Sequence, residues 1–198
     1  FKRKIKESKE FSDLTFREQN CEEQVYHKLT IKVRDEIVVF GSKVNLNKKG
    51  RHIEPEKLKL MLDSKEKIIL LDARDEHEHK VGKFKDALTL PIENFKDFPE
   101  TSNILESYKN EKIVMYCTGG IRCEKSSAFL KQNGFKNVFQ LKGGIIDFIN
   151  KFPNTYFEGS CFVFDDRLTA SSGKPIAICT HCGKREDKYS NCNNIDCY

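Results

Sequence analysis

No run of apolar residues in this chain approaches the length a bilayer crossing needs, and none has the form of a secretory signal's apolar region. No self-similar period of the solenoid kind is present either. A strong excess of one charge is also lacking. The 35 basic and 30 acidic side chains leave +5, compatible with contact to a nucleic acid but too small to demonstrate it. Eight cysteines do not make a secreted disulfide framework, because four crowd into the last twenty residues and the others are scattered. A reducing, cytoplasmic setting is the expectation for such thiols. At 198 residues, 38% hydrophobic and 33% charged, the chain can hold one medium domain with smaller appendages. It opens on Phe1 rather than Met, which sets the expectation of a fragment.

What is present is one distinctive loop. Cys117-Thr118-Gly119-Gly120-Ile121-Arg122 follows the β-rich run Lys112-Ile113-Val114-Met115-Tyr116 and precedes a segment of helical character from Cys123. A strand, a glycine-bearing loop and a helix N-terminus place backbone N–H groups around one thiol, and the helix dipole adds to them. A cysteine so placed is expected to be a thiolate near neutral pH and a nucleophile. Gly119 and Gly120 supply the unusual backbone angles a tight cradle needs, and Arg122 is a permanent cation beside it. Arg122 can steady an anion or pair with an acid that holds the loop. Cysteine phosphatases also use a thiolate on such a loop. Theirs encloses one residue more than the four between Cys117 and Arg122, so the shorter cradle fits a sulfur or small group better.

Along the chain, strands are expected over 68–71, 87–90, 112–116 and 137–140, alternating with helices over 76–80, 99–108, 123–133 and 145–150. A further helix is expected to begin at Pro55. That alternation is an α/β fold with a mainly parallel central sheet flanked by helices, and its sites lie at the carboxyl ends of strands. Residues 1–50 read as part of an α+β domain, with strands over 29–34, 37–40 and a candidate at 11–16. Residues 51–155 form the main domain and 156–198 a cysteine-rich tail, with a short strand over 161–164.

The Cys-x-x-Gly-x-Arg loop resembles that of the rhodanese family. So do Asp72-Ala73-Arg74 with Glu78, Gly82 and Ala87, and the run Val138 to Ile145 with its Gly143-Gly144 turn. Met115 to Ser126, Gln140 to Ile146 and Cys161-Phe162-Val163-Phe164-Asp165-Asp166-Arg167 resemble one subfamily, the bacterial tRNA wobble-uridine hydroxylases. That resemblance implies a rhodanese-like domain, with further N-terminal sequence usual in the relatives. It also implies oxygen-dependent conversion of the wobble uridine to 5-hydroxyuridine, with tRNA as partner, molecular oxygen as co-substrate and Cys117 as the essential thiol. The loop alone also fits a sulfurtransferase that takes sulfane sulfur from a donor onto Cys117. An inert rhodanese domain joined to a zinc-held tail is the non-enzymatic alternative.

Around the loop, Cys123 is either a thiol that resolves an oxidised Cys117 or a small packed residue. Asp72, Arg74 and Glu78 read as a charged trio, either contacting substrate and loop or clamping strand to helix. His77 and His79 read as solvated, and Tyr116 and Phe95 as either core or stacking groups for a flipped base. In the tail, Cys179 and Cys182 with Cys192 and Cys197 make a candidate structural zinc site of four thiolates. In the resembling subfamily a further cysteine commonly stands where this chain has Glu186, which weighs against a five-cysteine cluster. Lys28, Lys32, Arg34, Lys48, Lys49 and Arg51 could touch phosphates or simply be a solvated face.

Overall fold

The computed structural model describes residues 2–14, 16, 24–26, 31–171, 173–179 and 182–187. The chain divides into two compact units, Phe1–Ile31 and Lys32–Tyr198. The described part of the first holds the short helix α1 (Lys2–Lys6) and a 3-10 turn at Lys9–Phe11.

The second unit carries β1 (Arg51–Ile53), α2 (Pro55–Asp63), β2 (Ile69–Asp72), α3 (Glu76–Val81), β3 (Gly82–Phe84) and β4 (Leu88–Thr89). It continues with α4 (Phe98–Thr101), which runs into a 3-10 helix (Ser102–Tyr108), then β5 (Lys112–Tyr116) and α5 (Ile121–Gln132). Last come β6 (Asn137–Leu141), α6 (Gly144–Lys151), β7 (Phe157–Phe162) and β8 (Thr169–Ser171). The main sheet has the order β1-β6-β5-β2-β4, and every pairing in it is parallel. β5 lies at its centre, so the residue that follows β5 emerges from the middle of the sheet's carboxyl edge.

Alternate residues of the central strands feed two cores. Leu71, Ile113 and Met115 pack with Phe98, Leu105 and Leu130, whereas Leu70, Val114 and Tyr116 pack with Leu58, Phe84 and Phe148. A strand covered on both faces must be apolar throughout, which is why Ile-Val-Met-Tyr shows no polar alternation. On the second face Phe84 meets Tyr116, Phe148 and Phe157 edge-on, at 4.8, 4.8 and 5.5 Å between ring centres. Each such pair adds about 0.5–1.5 kcal/mol beyond its buried area.

A smaller antiparallel sheet, β3-β7-β8, leans on α3. Its strands bring residues after 156 back beside the helix that follows β2. Of the expected strand over 161–164, Cys161 and Phe162 are therefore the end of a longer one, and Val163 and Phe164 lie beyond it.

The expected strands at 31–34 and 37–40 are not formed, and residues 29–30 lie outside the described ones. Ile31, Val33 and Ile37 are exposed there, and a strand without a paired neighbour has no ladder to hold it. The candidate strand over 11–16 likewise begins in a 3-10 turn, not an extended run. Phe40 instead drops into the first core beside Phe95, Phe98 and Phe129.

Candidate active site

Cys117 follows β5 directly, and the chain turns back into α5 within three residues. Of the two loop glycines expected to take unusual angles, Gly120 does, with φ +87°, a left-handed angle that other residues adopt only at a cost, whereas Gly119 does not have a positive φ. The Gly120 N–H donates to Cys117 Sγ at 3.1 Å. The Cys123 thiol and the N–H groups of Arg122 and Cys123 also point at that sulfur. The loop's carbonyls face the other way. Those of Cys117 and Thr118 accept the N–H groups of Ile145 and Ile146 in the first turn of α6, at 3.0 and 3.2 Å. Two helix N-termini thus sort the loop's polarity, donors toward the sulfur and acceptors toward α6.

These donors set the sulfur's charge. The hydrogen bond from Cys123 lowers the Cys117 pKa most, helped by the Arg122 charge and the backbone donors, and against burial it falls to about 6. Burial, and the bond to the neighbouring sulfur, push the Cys123 thiol well above its ordinary range. Only 2% of Cys117 reaches solvent, so a reactant must come down into the loop.

Arg122 is fixed from α3. Both its terminal nitrogens donate to the Glu78 carboxylate, Nη2 to Oε2 at 2.8 Å and Nη1 to Oε1. Thr118 Oγ1 donates to Glu78 Oε2 at 3.2 Å. Asp75 Oδ1 lies 3.7 Å from Arg122 Nη1 and accepts no hydrogen bond. Burial foremost, with repulsion from Glu78, outweighs the attraction of Arg122 and pushes the Asp75 pKa up to about 6.

The charged trio is divided in space. Asp72 and Arg74 form a pair of their own, fully buried, with Arg74 Nε to Oδ1 at 2.9 Å and Nη2 to Oδ2 at 2.7 Å. Arg74 also donates to Gly82 O at 2.6 Å, so it ties the end of β2 to β3. Burial by itself would lower the Arg74 pKa, but the Asp72 carboxylate reverses this and holds it raised. Glu78 belongs instead to the loop.

A rhodanese-like domain model matches residues 54–151, and a rhodanase C-terminal model matches residues 158–198. The chain belongs to the rhodanese-like family. The tRNA uridine(34) hydroxylase of Cytophaga hutchinsonii is 42% identical over 199 residues, covering 98% of this chain and 64% of that protein. The protein of the same name from Protochlamydia amoebophila is 40% identical over 194 residues, covering 94% of this chain and 61% of that one. The chain spans about three fifths of the length of these curated relatives. Among solved structures, a rhodanese-related protein from Thermoplasma volcanium is 25% identical with a TM-score of 0.44, covering 52% of this chain and 93% of that one.

Outside its loop, the rhodanese-like domain decides between the alternatives at two aromatic residues and overturns the expectation for two histidines. Tyr116 and Phe95 are core, 0% and 7% exposed, because one ends the central strand and the other packs under Phe40. Neither can stack a base. His77 and His79 are half-buried on α3, not solvated. The His77 ring meets Phe162 edge-on at 5.1 Å, and burial lowers the His79 pKa. Lys32, Arg34, Lys48, Lys49 and Arg51 are exposed, with Lys49 paired to Glu124 and Arg51 over the Phe139 ring; Lys28 lies outside the described residues.

Two residues at the site escaped the sequence reasoning. Asp75 carries no spacing that separates it from an ordinary helix-capping acid. Phe164 lies 5.6 Å from the Arg122 guanidinium carbon, with that carbon over its ring. The available signal was the second Asp-x-Arg, Asp165-Asp166-Arg167, which repeats the fork of Asp72-Ala73-Arg74.

In the tail, Cys179 N–H donates to Lys184 O at 2.8 Å and Gly183 N–H to Cys179 O at 2.9 Å. This tight turn carries Cys179 and the exposed Cys182; Cys192 and Cys197 lie outside the described residues. Among the described residues no helix is long and apolar enough to cross a membrane.

Proposed function

We propose that this chain is the rhodanese-bearing part of a cytoplasmic enzyme that hydroxylates the wobble uridine of tRNA to 5-hydroxyuridine, with Cys117 as its reacting group and molecular oxygen as co-substrate. The supporting observation is the donor-lined cradle that holds Cys117 as a thiolate, set in a chain about 40% identical to proteins named tRNA uridine(34) hydroxylase. A thiolate there can add to C6 of a uracil ring, moving the electron pair of the C5–C6 bond toward the C4 carbonyl oxygen and enriching C5. It can alternatively carry a sulfane sulfur, the reading that makes the domain a sulfurtransferase supplied by a sulfur donor. In either role, Arg122 and the N–H donors hold the negative charge, while Glu78 and Thr118 keep Arg122 in place.

The deciding experiment compares tRNA nucleosides by mass spectrometry in cells lacking the gene, complemented with the parent or with Cys117→Ala. Restoration of 5-hydroxyuridine by the parent alone supports the hydroxylase. Restoration by both removes Cys117 from the chemistry. Rapid thiosulfate-to-cyanide turnover with unchanged tRNA would instead favour the sulfurtransferase.

The tail is read as a structural zinc site held by Cys179, Cys182, Cys192 and Cys197. It rests on the four-thiolate pattern and on the turn that carries the first pair.

A further inference from the structure

Phe164 is 64% exposed, whereas Cys161, Phe162 and Val163 before it are buried. Singly exposed aromatics are ordinary on protein surfaces and by themselves mean nothing. This one has a fixed setting. The turn that carries it is pinned at both ends, Val163 N–H to Leu168 O at 2.9 Å and Leu168 N–H to Asp165 O at 2.9 Å. The Asp165–Arg167 fork closes it further, with Arg167 Nε to Oδ1 at 2.9 Å and Nη2 to Oδ2 at 2.6 Å. A row of edge-on rings, His77 to Phe162 at 5.1 Å and Phe162 to Phe164 at 5.5 Å, backs the side chain.

The Arg122 guanidinium lies over the ring, itself held by Glu78 and Thr118, and it is the cation that acts on the Cys117 sulfur. The hairpin therefore sets an aromatic surface beside the residue that closes the thiolate loop. Ile121, the loop residue preceding Arg122, is half exposed and adds an apolar edge.

We propose that Phe164 is the stacking seat for the pyrimidine base that reacts at Cys117, receiving a base turned out from a single-stranded RNA loop onto its open surface. This rests on the RNA-uridine reading above. A base taken out of its stack needs a replacement π-surface, and an aromatic ring accepts any base without hydrogen-bond readout. Phe164 would thus act in binding, leaving the discrimination of uracil to groups nearer the sulfur.

The test uses the intact protein and two synthetic anticodon stem-loops, one with uridine at the wobble position and one abasic there. Affinity is read by fluorescence anisotropy at fixed salt. Phe164→Ala should weaken binding of the uridine stem-loop roughly ten- to a hundredfold, as loss of one base–aromatic stack does. The abasic stem-loop should bind parent and variant alike. Phe164→Tyr should restore binding, and Phe164→Leu should not. The pH profile of Cys117 alkylation should be the same in all variants, which a collapsed loop would not allow.

Equal affinity of parent and Phe164→Ala for the uridine stem-loop overturns the inference, as does full rescue by Leu. If the parent shows no preference for uridine over the abasic stem-loop, the stacking seat is again refuted. If the parent also fails to restore 5-hydroxyuridine in cells, the RNA-uridine reading itself falls.

Discussion

Glu78 and Arg122 grip each other across 44 residues of sequence, both carboxylate oxygens meeting both terminal guanidinium nitrogens, with Glu78 fully buried. The pair ties α3 to the loop after β5. Without it the cation beside Cys117 would have several directions to point.

Glu78→Gln keeps the shape and removes the charge, leaving a buried guanidinium with only the more distant Asp75 carboxylate, 3.7 Å away. Such losses cost about 3–5 kcal/mol, and the expected result is a fall of at least the lower figure in unfolding free energy. Guanidinium chloride denaturation measures it as a lower midpoint at unchanged slope. An unchanged midpoint would show that something else holds Arg122.

Cys117 should alkylate with iodoacetamide along a curve whose inflection lies at about 6, since the thiolate is the reactive form. Cys123→Ala removes the largest stabilising donor, so the inflection should move upward. The same ionisation links to folding: its sulfur is more acidic folded than unfolded. The resulting stabilisation is present above the unfolded thiol pKa and is lost as pH falls through that value toward 6. An inflection near the ordinary thiol value would remove the basis for a reactive Cys117.

Gly144→Ala should damage both fold and site. A Cβ there would lie 2.4 Å from Cys117 O and 2.6 Å from Thr118 O, at φ +64°. Gly134 is the control, with φ +89° and nothing within 4 Å of an added Cβ. Gly134→Ala should cost about 1–3 kcal/mol from backbone strain alone. Gly144→Ala should cost more and raise the Cys117 pKa, because pushing α6 away frees the loop carbonyls to turn. Equal melting temperatures for the two variants would contradict this.

Purified protein should carry about one zinc per chain if the four tail cysteines form a tetrahedral site. Cys182→Ser should abolish it, measured by a colorimetric chelator after thiol blocking. Zinc retained in that variant would exclude the proposed ligand set.

The central strand and its loop were legible because their pattern is local. An apolar run at 113–116 followed by Cys117 and two glycines announces strand, turn and helix start within ten residues. The helix begins at Ile121, two residues earlier than expected, because Gly120 already serves as its cap. The strands at 31–34 and 37–40 failed for the opposite reason. β-propensity is realised only where a neighbour offers a ladder, and a propensity cannot show whether one exists. β3, at three residues, was too short to carry any periodic signal and exists through its pairing with β7.

The order of residues by itself determined the anion cradle: a thiol, a glycine at 120 that permits the turn, and a helix start whose N–H groups have no other acceptor. Which charges serve that cradle was decided in three dimensions. Asp72 and Glu78 are both acids near arginines in sequence, and only packing assigned one to Arg74 and the other to Arg122. Phe164 lies 42 residues beyond Arg122 and meets it because β7 folds back on β3. Ion pairs and ring contacts act over a few ångströms and are indifferent to chain separation, so only the folded backbone could choose them.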